Sequence, residues 1–118
     1  MARVVAHVPD LLFGSKVQGM LTAGGHDVAL VGNEAGAREQ IEGGDVLVID
    51  LTADDVAGIA LLEALRSDGA IDETRTLAFY SHVDADVRKR ALDAGFDLVV
   101  PRSRMAREGA ALVDKLAG

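Results

Sequence analysis

The sequence predicts an α/β fold in which one doubly wound, five-stranded parallel sheet is covered by five helices. Short runs of branched apolar residues alternate with segments of helical periodicity along the whole chain, as expected of successive strand–helix–strand units. Apart from His7 in the first run and polar residues at the ends of the others, the strand-like runs are apolar, which is typical of strands buried on both faces. The 118 residues contain no linker, repeat or low-complexity segment, so we expect a single domain spanning residues 1–118.

Five apolar runs are predicted to be strands because they are short and are bounded by residues that favour turns or helix starts. They cover residues 4–8, 26–31, 45–50, 76–81 and 97–100. The third run, with the sequence DVLVID, ends in a carboxylate. A strand that is apolar on both faces therefore has an acid at its tip.

The first two helices are predicted from apolar spacing and capping residues. Apolar residues recur at helical spacing over 11–23, and Asp10 can accept hydrogen bonds from the free N–H groups of the first turn as an N-cap. A pair of glycines ends this helix. Asn33 can cap a second, shorter helix that reaches about Glu42.

The third helix is predicted over residues 57–67, where apolar residues again lie on one side. The acidic pair Asp54 and Asp55 is expected to lie in the loop that precedes it. We expect Gly58 to close this loop.

The last two helices are predicted over residues 84–94 and 103–117. Asp84 is the expected N-cap of the first of them. Gly95 stands where the left-handed backbone that commonly ends a helix favours glycine.

The composition is that of an acidic, aliphatic protein with 49% hydrophobic residues and a net charge of −7. Because such a chain is poorly suited to neutralising phosphates, we expect no direct nucleic-acid binding. The absence of cysteine excludes thiol catalysis, thiolate metal sites and disulfides. No segment approaches the roughly 20 apolar residues of a membrane span, and the N-terminal apolar run is too short for a signal peptide. We therefore expect a cytoplasmic protein without membrane contact.

Asp50 is the first candidate functional residue. The carboxyl ends of parallel strands meet at one edge of the sheet, and ligand sites of open α/β sheets gather at that edge. As the last residue of the third predicted strand, Asp50 is expected to lie there.

Two short motifs lie near the strand ends: Asp50 is followed eight residues later by Gly58, and Ala94-Gly95 precedes the last strand. Together with the predicted topology, they resemble the receiver domains of bacterial response regulators over essentially the whole chain. This resemblance implies the strand order 2-1-3-4-5. It also implies that Asp50 is the position that accepts a phosphoryl group from a histidine kinase.

The metal site of that family is only partly matched. Phosphoryl transfer to an aspartate needs a divalent cation, and receivers hold Mg²⁺ with the acceptor and an acidic pair that ends the first strand. Alignment without gaps places this pair on Val8 and Pro9, whose side chains cannot ligate a metal. Asp10 and Asp50 remain as candidate ligands. We therefore expect no cofactor and at most weak Mg²⁺ binding.

Two further family positions are altered. The family's lysine corresponds to Arg102, which keeps the positive charge on a broader, forked donor, and we expect it to hold the Asp50 carboxylate. The Thr or Ser that senses the phosphoryl group at the end of the fourth strand corresponds to Tyr80 without gaps, or to Ser81 after a shift of one residue. Both alternatives stay open.

The last third of the chain is the candidate interaction surface. Residues 84–118 carry seven basic and six acidic residues, whereas residues 1–83 carry five and thirteen. In the family, the surface of the fourth helix, fifth strand and fifth helix makes dimer and output contacts. We predict that a histidine kinase, a downstream signalling protein or a second copy binds this face. Its basic residues are Arg88, Lys89, Arg90, Arg104 and Arg107.

These features predict a stand-alone, receiver-like signalling domain that acts through protein–protein interaction and is not an enzyme. We interpret it as a degenerate receiver with impaired phosphorylation. One alternative is a functional response regulator that accepts a phosphoryl group at Asp50. The other is a small-molecule binder whose crevice, at the carboxyl edge of the sheet, is lined by Asp50, Tyr80, His82 and Arg102.

Overall fold

The computed structural model describes residues 2–81 and 84–118, and these residues form the predicted parallel sheet. The order of the strands is β2-β1-β3-β4-β5, with all four neighbouring pairs parallel. The fold class and the strand order are therefore confirmed. The strands are Arg3–His7 (β1), Asp27–Val31 (β2), Val46–Asp50 (β3), Arg75–Tyr80 (β4) and Leu98–Pro101 (β5).

Helices alternate with the strands and cover both faces of the sheet. One core layer joins α1 and α5 to the sheet, and a second joins α2, α3 and α4 to the opposite face. Within the described part of the chain, no helix has the length and apolar character that crossing a membrane requires. The helices are Leu11–Ala23 (α1), Glu34–Ile41 (α2), Asp55–Ser67 (α3), Ala85–Ala94 (α4) and Arg102–Ala117 (α5).

The predicted caps of α1 and α4 are confirmed. Asp10 Oδ1 accepts hydrogen bonds from the backbone N–H groups of Leu12 and Phe13, at 3.0 and 3.1 Å. At the C-terminal end of α4, Gly95 has a φ of 104°. This left-handed conformation ends the helix, and residues with a Cβ rarely adopt it. Asp10 therefore has a structural task at the start of α1.

The prediction that Gly58 closes a loop is wrong. Helix α3 begins two residues earlier than expected because the Asp54 side chain accepts a hydrogen bond from the Ala57 N–H, at 2.9 Å, and so caps the helix there. Gly58 lies within the first turns of α3 and is buried against β3. A Cβ at this position would clash with the Leu51 side chain and lie 3.1 Å from Ile49 Cγ2. The glycine thus lets α3 approach the sheet closely.

Two strand boundaries matter for the site. Strand β1 ends at His7, one residue before the predicted end, so Val8 follows the strand. Strand β4 ends at Tyr80, which leaves Ser81 outside it. Both residues therefore lie in loops at the carboxyl edge of the sheet.

The central strand β3 is buried along its whole length. Its side chains alternate, so that Leu47 and Ile49 belong to the core layer beneath α2, α3 and α4, whereas Val46 and Val48 belong to the layer beneath α1 and α5. By the same two-residue period, Asp50 follows Val48 on the α1–α5 side of the sheet.

Candidate functional site

An open crevice of about 810 Å³ lies at the carboxyl edge of the sheet. Four segments build it: the first turns of α1, the loop after β3, the residue after β4 and the first turn of α5. Its volume lies within the range typical of ligand sites. The lining residues are Asp10, Leu12, Phe13, Lys16, Thr52, Ala53, Ser81, Arg102, Ser103 and Ala106.

The Asp50 carboxylate is buried and does not line this crevice. Only 4% of the residue is exposed. Its Oδ1 atom accepts hydrogen bonds from the backbone N–H of Thr52, at 2.7 Å, and from the Thr52 hydroxyl, at 2.6 Å. The two residues that line the crevice in this loop are Thr52 and Ala53. The carboxylate therefore stabilises the turn after β3 from within.

The positions next to β1 offer little to a metal ion. Val8 is buried, and Pro9 is exposed but carries no ligating atom. Asp10 caps α1 through Oδ1, while its Oδ2 lies 3.8 Å from the Arg102 guanidinium. Within residues 2–81 and 84–118, no group of three or more acidic or histidine side chains is placed to hold a metal ion.

The expected contact between Arg102 and Asp50 is not formed. In the described part of the chain, the carboxylate partner of Arg102 is Asp10, and the guanidinium lies 4.0 Å above the centre of the Phe13 ring. Phe13 in turn packs edge-on against Phe79, with ring centres 5.3 Å apart. Because Arg102 is the first residue of α5, its side chain reaches across to α1 instead of the turn that covers Asp50.

The two candidate sensor residues point to different places. Tyr80 is 6% exposed and belongs to the core layer beneath α2, α3 and α4, whereas Ser81 lines the crevice. The crevice predicted for a small molecule therefore exists, but its lining differs from the prediction. It includes Arg102 and excludes Asp50 and Tyr80, while His82 lies outside the described residues.

Sequence reasoning missed three polar side chains of the crevice: Lys16, Thr52 and Ser103. Lys16 follows Phe13 by three residues and so shares its face of α1. With Asp10 as the N-cap, the start of α1 is fixed, and the spacing of Phe13 and Lys16 then places both side chains on one face of the helix. The sequence therefore contained the information needed to predict the position of Lys16. Thr52 lies two residues after the end of β3, and Ser103 is the second residue of α5, two residues after the end of β5.

One residue of the predicted interaction surface lies elsewhere. Arg90 forms an ion pair with Asp55, the first residue of α3, and lines the groove between α3 and α4. It therefore belongs to the α3 side of α4, away from α5. The reason is helical phase, since Arg90 follows the buried Val87 by three positions and precedes Ala94, which also lines the groove, by four, so these side chains share one face of α4.

The other basic residues of that surface are exposed or half-buried. Lys89 pairs with Asp93 one turn along α4, at 3.0 Å. On α5, Arg104 and Arg107 both approach Glu108, at 3.4 and 3.7 Å. These pairs are at the surface, where an ion pair contributes about 0–1 kcal/mol.

Solved structures identify the fold. The receiver domain of the Francisella response regulator 1452 superposes with a TM-score of 0.84 at 20% sequence identity, covering 99% of this chain and 97% of its own. The signal receiver domain of NarL from Mycobacterium tuberculosis has a TM-score of 0.79 at 25% identity, covering 98% and 95%. The chain has the receiver fold. The chemotaxis protein CheY4 of Vibrio cholerae shares it, with a TM-score of 0.83 at 15% identity over 98% of both chains.

The receiver fold is recognised here by structure, since no protein-family model and no curated protein sequence matches the chain. Within the receiver fold, Asp50 stands at the end of the central strand. Ser81 and Arg102 reach the same edge of the sheet and line the crevice.

Proposed function

We propose that this receiver-fold domain signals by binding a protein partner, without catalytic turnover, and that phosphoryl transfer to Asp50 is impaired. The state of the Asp50 carboxylate carries this proposal. The residue is 4% exposed, lies outside the crevice lining, and is hydrogen-bonded twice by Thr52. The Asp50 carboxylate must therefore break its hydrogen bonds to Thr52 and become exposed before it can attack a phosphoryl group.

The metal positions support the same proposal. Mg²⁺ dehydrates reluctantly and demands near-octahedral geometry, so it needs more than one well-placed carboxylate. Here Val8 and Pro9 occupy the acidic-pair positions, and Asp10 is engaged by two backbone N–H groups. We infer that the domain works without a cofactor and that any Mg²⁺ at Asp10 and Asp50 is held weakly.

Titration with MgCl₂ tests this proposal. We expect the amide NMR shifts of residues around Asp50 to change gradually and without saturation at low-millimolar Mg²⁺. The other candidate ligand, Asp10, is engaged by two backbone N–H groups and does not support Asp50 in holding the ion. Asp50→Asn is the control, and its titration should look the same. Saturable binding in the wild type that disappears in Asp50→Asn would establish a working metal site and contradict the proposal.

Small-molecule binding is a second candidate function. The volume of the crevice and its mixture of charged, hydroxyl and apolar side chains favour it. In this alternative the receiver fold serves as a scaffold for a ligand site at the carboxyl edge.

The proposed partner surface is the one formed by α4, β5 and α5. It would be used by a histidine kinase, a downstream signalling protein or a second copy, with residues 1–118 acting as one domain in the cytoplasm. Arg88, Lys89, Arg104 and Arg107 remain as its basic residues, since Arg90 is committed to Asp55. An acidic partner would complement this surface, and its rim charges should act mainly on association rate and salt dependence.

Charge reversal tests this surface. We expect Arg88→Glu or Arg107→Glu to weaken self-association measured by sedimentation velocity, or binding to an identified partner, and to do so more strongly at low salt than at high salt. Arg75→Glu is the matched control because Arg75 is an exposed arginine at the opposite edge of the sheet. If all three variants weaken association equally, or if none of them changes it, the surface formed by α4, β5 and α5 is excluded as the binding site.

A further inference from the structure

We infer that the crevice at the carboxyl edge binds a small organic anion non-covalently, between Lys16 and Arg102, and that it does so without Asp50 and without a metal ion. This inference is independent of the protein partner proposed above, and it rests on the second candidate function, small-molecule binding at this crevice, for which it names the ligand class. The ligand class that fits is a compact phosphonate, phosphate ester or carboxylate with an apolar body.

The charged side chains of the crevice favour an anionic ligand. The protein as a whole has a net charge of −7, yet the crevice is lined by two cations and one carboxylate: Lys16, Arg102 and Asp10. That carboxylate already accepts two backbone hydrogen bonds and lies 3.8 Å from the nearest Arg102 nitrogen. Within residues 2–81 and 84–118, Lys16 forms no ion pair. The crevice therefore has a surplus of positive charge.

Hydrogen-bond donors converge on the same space. The hydroxyl-bearing residues Ser81 and Ser103 line the crevice from two different segments. The Thr52 hydroxyl also lines it, but its O–H already donates to Asp50 Oδ1. The first turn of α5, which supplies Ser103, begins after Pro101 and has no side-chain cap. Its first backbone N–H groups are therefore left for a ligand or solvent, and they favour negative charge. These donors and the two cations line the same crevice.

The remaining wall is apolar. Leu12, Phe13, Ala53 and Ala106 line the crevice beside the charged groups. Leu12 is 87% exposed, so its side chain is open to contact with a ligand. The guanidinium of Arg102 is held over the Phe13 ring, which orients its donors and limits the side-chain freedom lost on binding. A ligand with both an anionic head and an apolar body matches these two walls, whereas a bare inorganic anion uses only one of them.

The burial of Asp50 makes the site distinct from a phosphorylation site. The Asp50 residue is 4% exposed and is absent from the crevice lining. An anion bound in the crevice therefore does not contact the Asp50 carboxylate. No bond to the protein forms or breaks on binding. The affinity should therefore be the same with and without divalent cations.

The test is a titration with phenylphosphonate in buffer that contains EDTA, followed by amide NMR shifts. Phenylphosphonate presents the anionic head and the apolar body but cannot donate a phosphoryl group. We expect saturable binding in about the millimolar range, with the largest shifts at Lys16, Ser81 and Ser103. Inorganic phosphate and benzyl alcohol each carry half of the ligand's chemistry, and each should bind about tenfold more weakly.

Variants assign the site. Lys16→Gln should weaken phenylphosphonate binding by about tenfold, while Lys115→Gln, the same change at an exposed lysine near the end of α5, should leave it unchanged. Asp50→Asn should bind as the wild type does. The inference is overturned if binding does not saturate, if Lys115→Gln weakens it as much as Lys16→Gln, or if binding requires Mg²⁺ or Asp50.

Discussion

Incubation with acetyl phosphate and Mg²⁺ is expected to leave the intact mass of the protein unchanged. Attack by a carboxylate on a phosphoryl group requires access to the phosphorus and neutralisation of charge on the transferred oxygens. Asp50 has neither in the described structure. It is buried beneath its own turn, and Thr52 donates two hydrogen bonds to its Oδ1.

Neutralisation of charge is also weak at this position. Arg102, the cation proposed to act on the transferred oxygens, is engaged with Asp10 and Phe13. The alignment without gaps places Val8 and Pro9, which offer no ligating side chain, at the acidic-pair positions. We therefore expect less than a tenth of the protein to gain a phosphoryl group under conditions that saturate a functional receiver.

Intact-mass spectrometry of the wild type and of Asp50→Asn is the measurement. The variant should remain folded, since the amide oxygen of Asn can accept the same two hydrogen bonds from Thr52. Stoichiometric addition of one phosphoryl group to the wild type, abolished in Asp50→Asn, would show that Asp50 is a working acceptor. Addition that persists in the variant would place the modification on another residue and leave the proposal for Asp50 intact.

The second large effect concerns stability. Gly95→Ala is expected to lower the free energy of unfolding by about 2 kcal/mol or more. A φ of 104° is strained for any residue with a Cβ, and the added methyl group would clash with the Arg66 guanidinium. Arg66 donates hydrogen bonds to the carbonyls of Ala94, at 2.6 Å, and Gly95, at 3.0 Å. Displacing it removes the contact through which α3 holds the end of α4.

Gly19→Ala is the matched control for this substitution. Gly19 lies on the exposed side of α1, has an ordinary helical conformation, and would place its Cβ in open space. The change should raise the free energy of unfolding by about 0.5–1 kcal/mol through helix propensity. Denaturant unfolding of both variants provides the values. Equal stability of Gly95→Ala and the wild type would show that the α4 terminus adopts another backbone conformation in solution.

Most of the fold could be predicted from the sequence because its signals are local. Continuous apolar runs identified all five strands, and the caps Asp10 and Asp84 and the glycine at 95 identified helix ends to within one or two residues. The observed boundary differs from the predicted one where two signals compete. At α3, for example, both the acidic pair and Gly58 can end a loop, and the Asp54 cap decided the outcome.

The identity of the residues at the carboxyl edge followed from the sequence, whereas their contacts did not. The positions of Asp50, Ser81 and Arg102 at strand ends and helix starts could be predicted from the order of elements. Which of them face a common space depends on strand phase and on how far each side chain reaches. A one-residue difference at the end of β4 sends Tyr80 into the core and leaves Ser81 at the crevice.

The sequence by itself therefore determined the sheet, its order through the family resemblance, and the edge where the acid Asp50 stands. Only the tertiary structure decided the partners of the charged groups that pair between elements: Arg102 with Asp10, and Arg90 with Asp55. The physical reason is that secondary structure follows from periodicity over neighbouring residues. An ion pair, by contrast, forms between flexible side chains from separate elements, so its partners are set by packing distances of a few ångströms that no local pattern encodes.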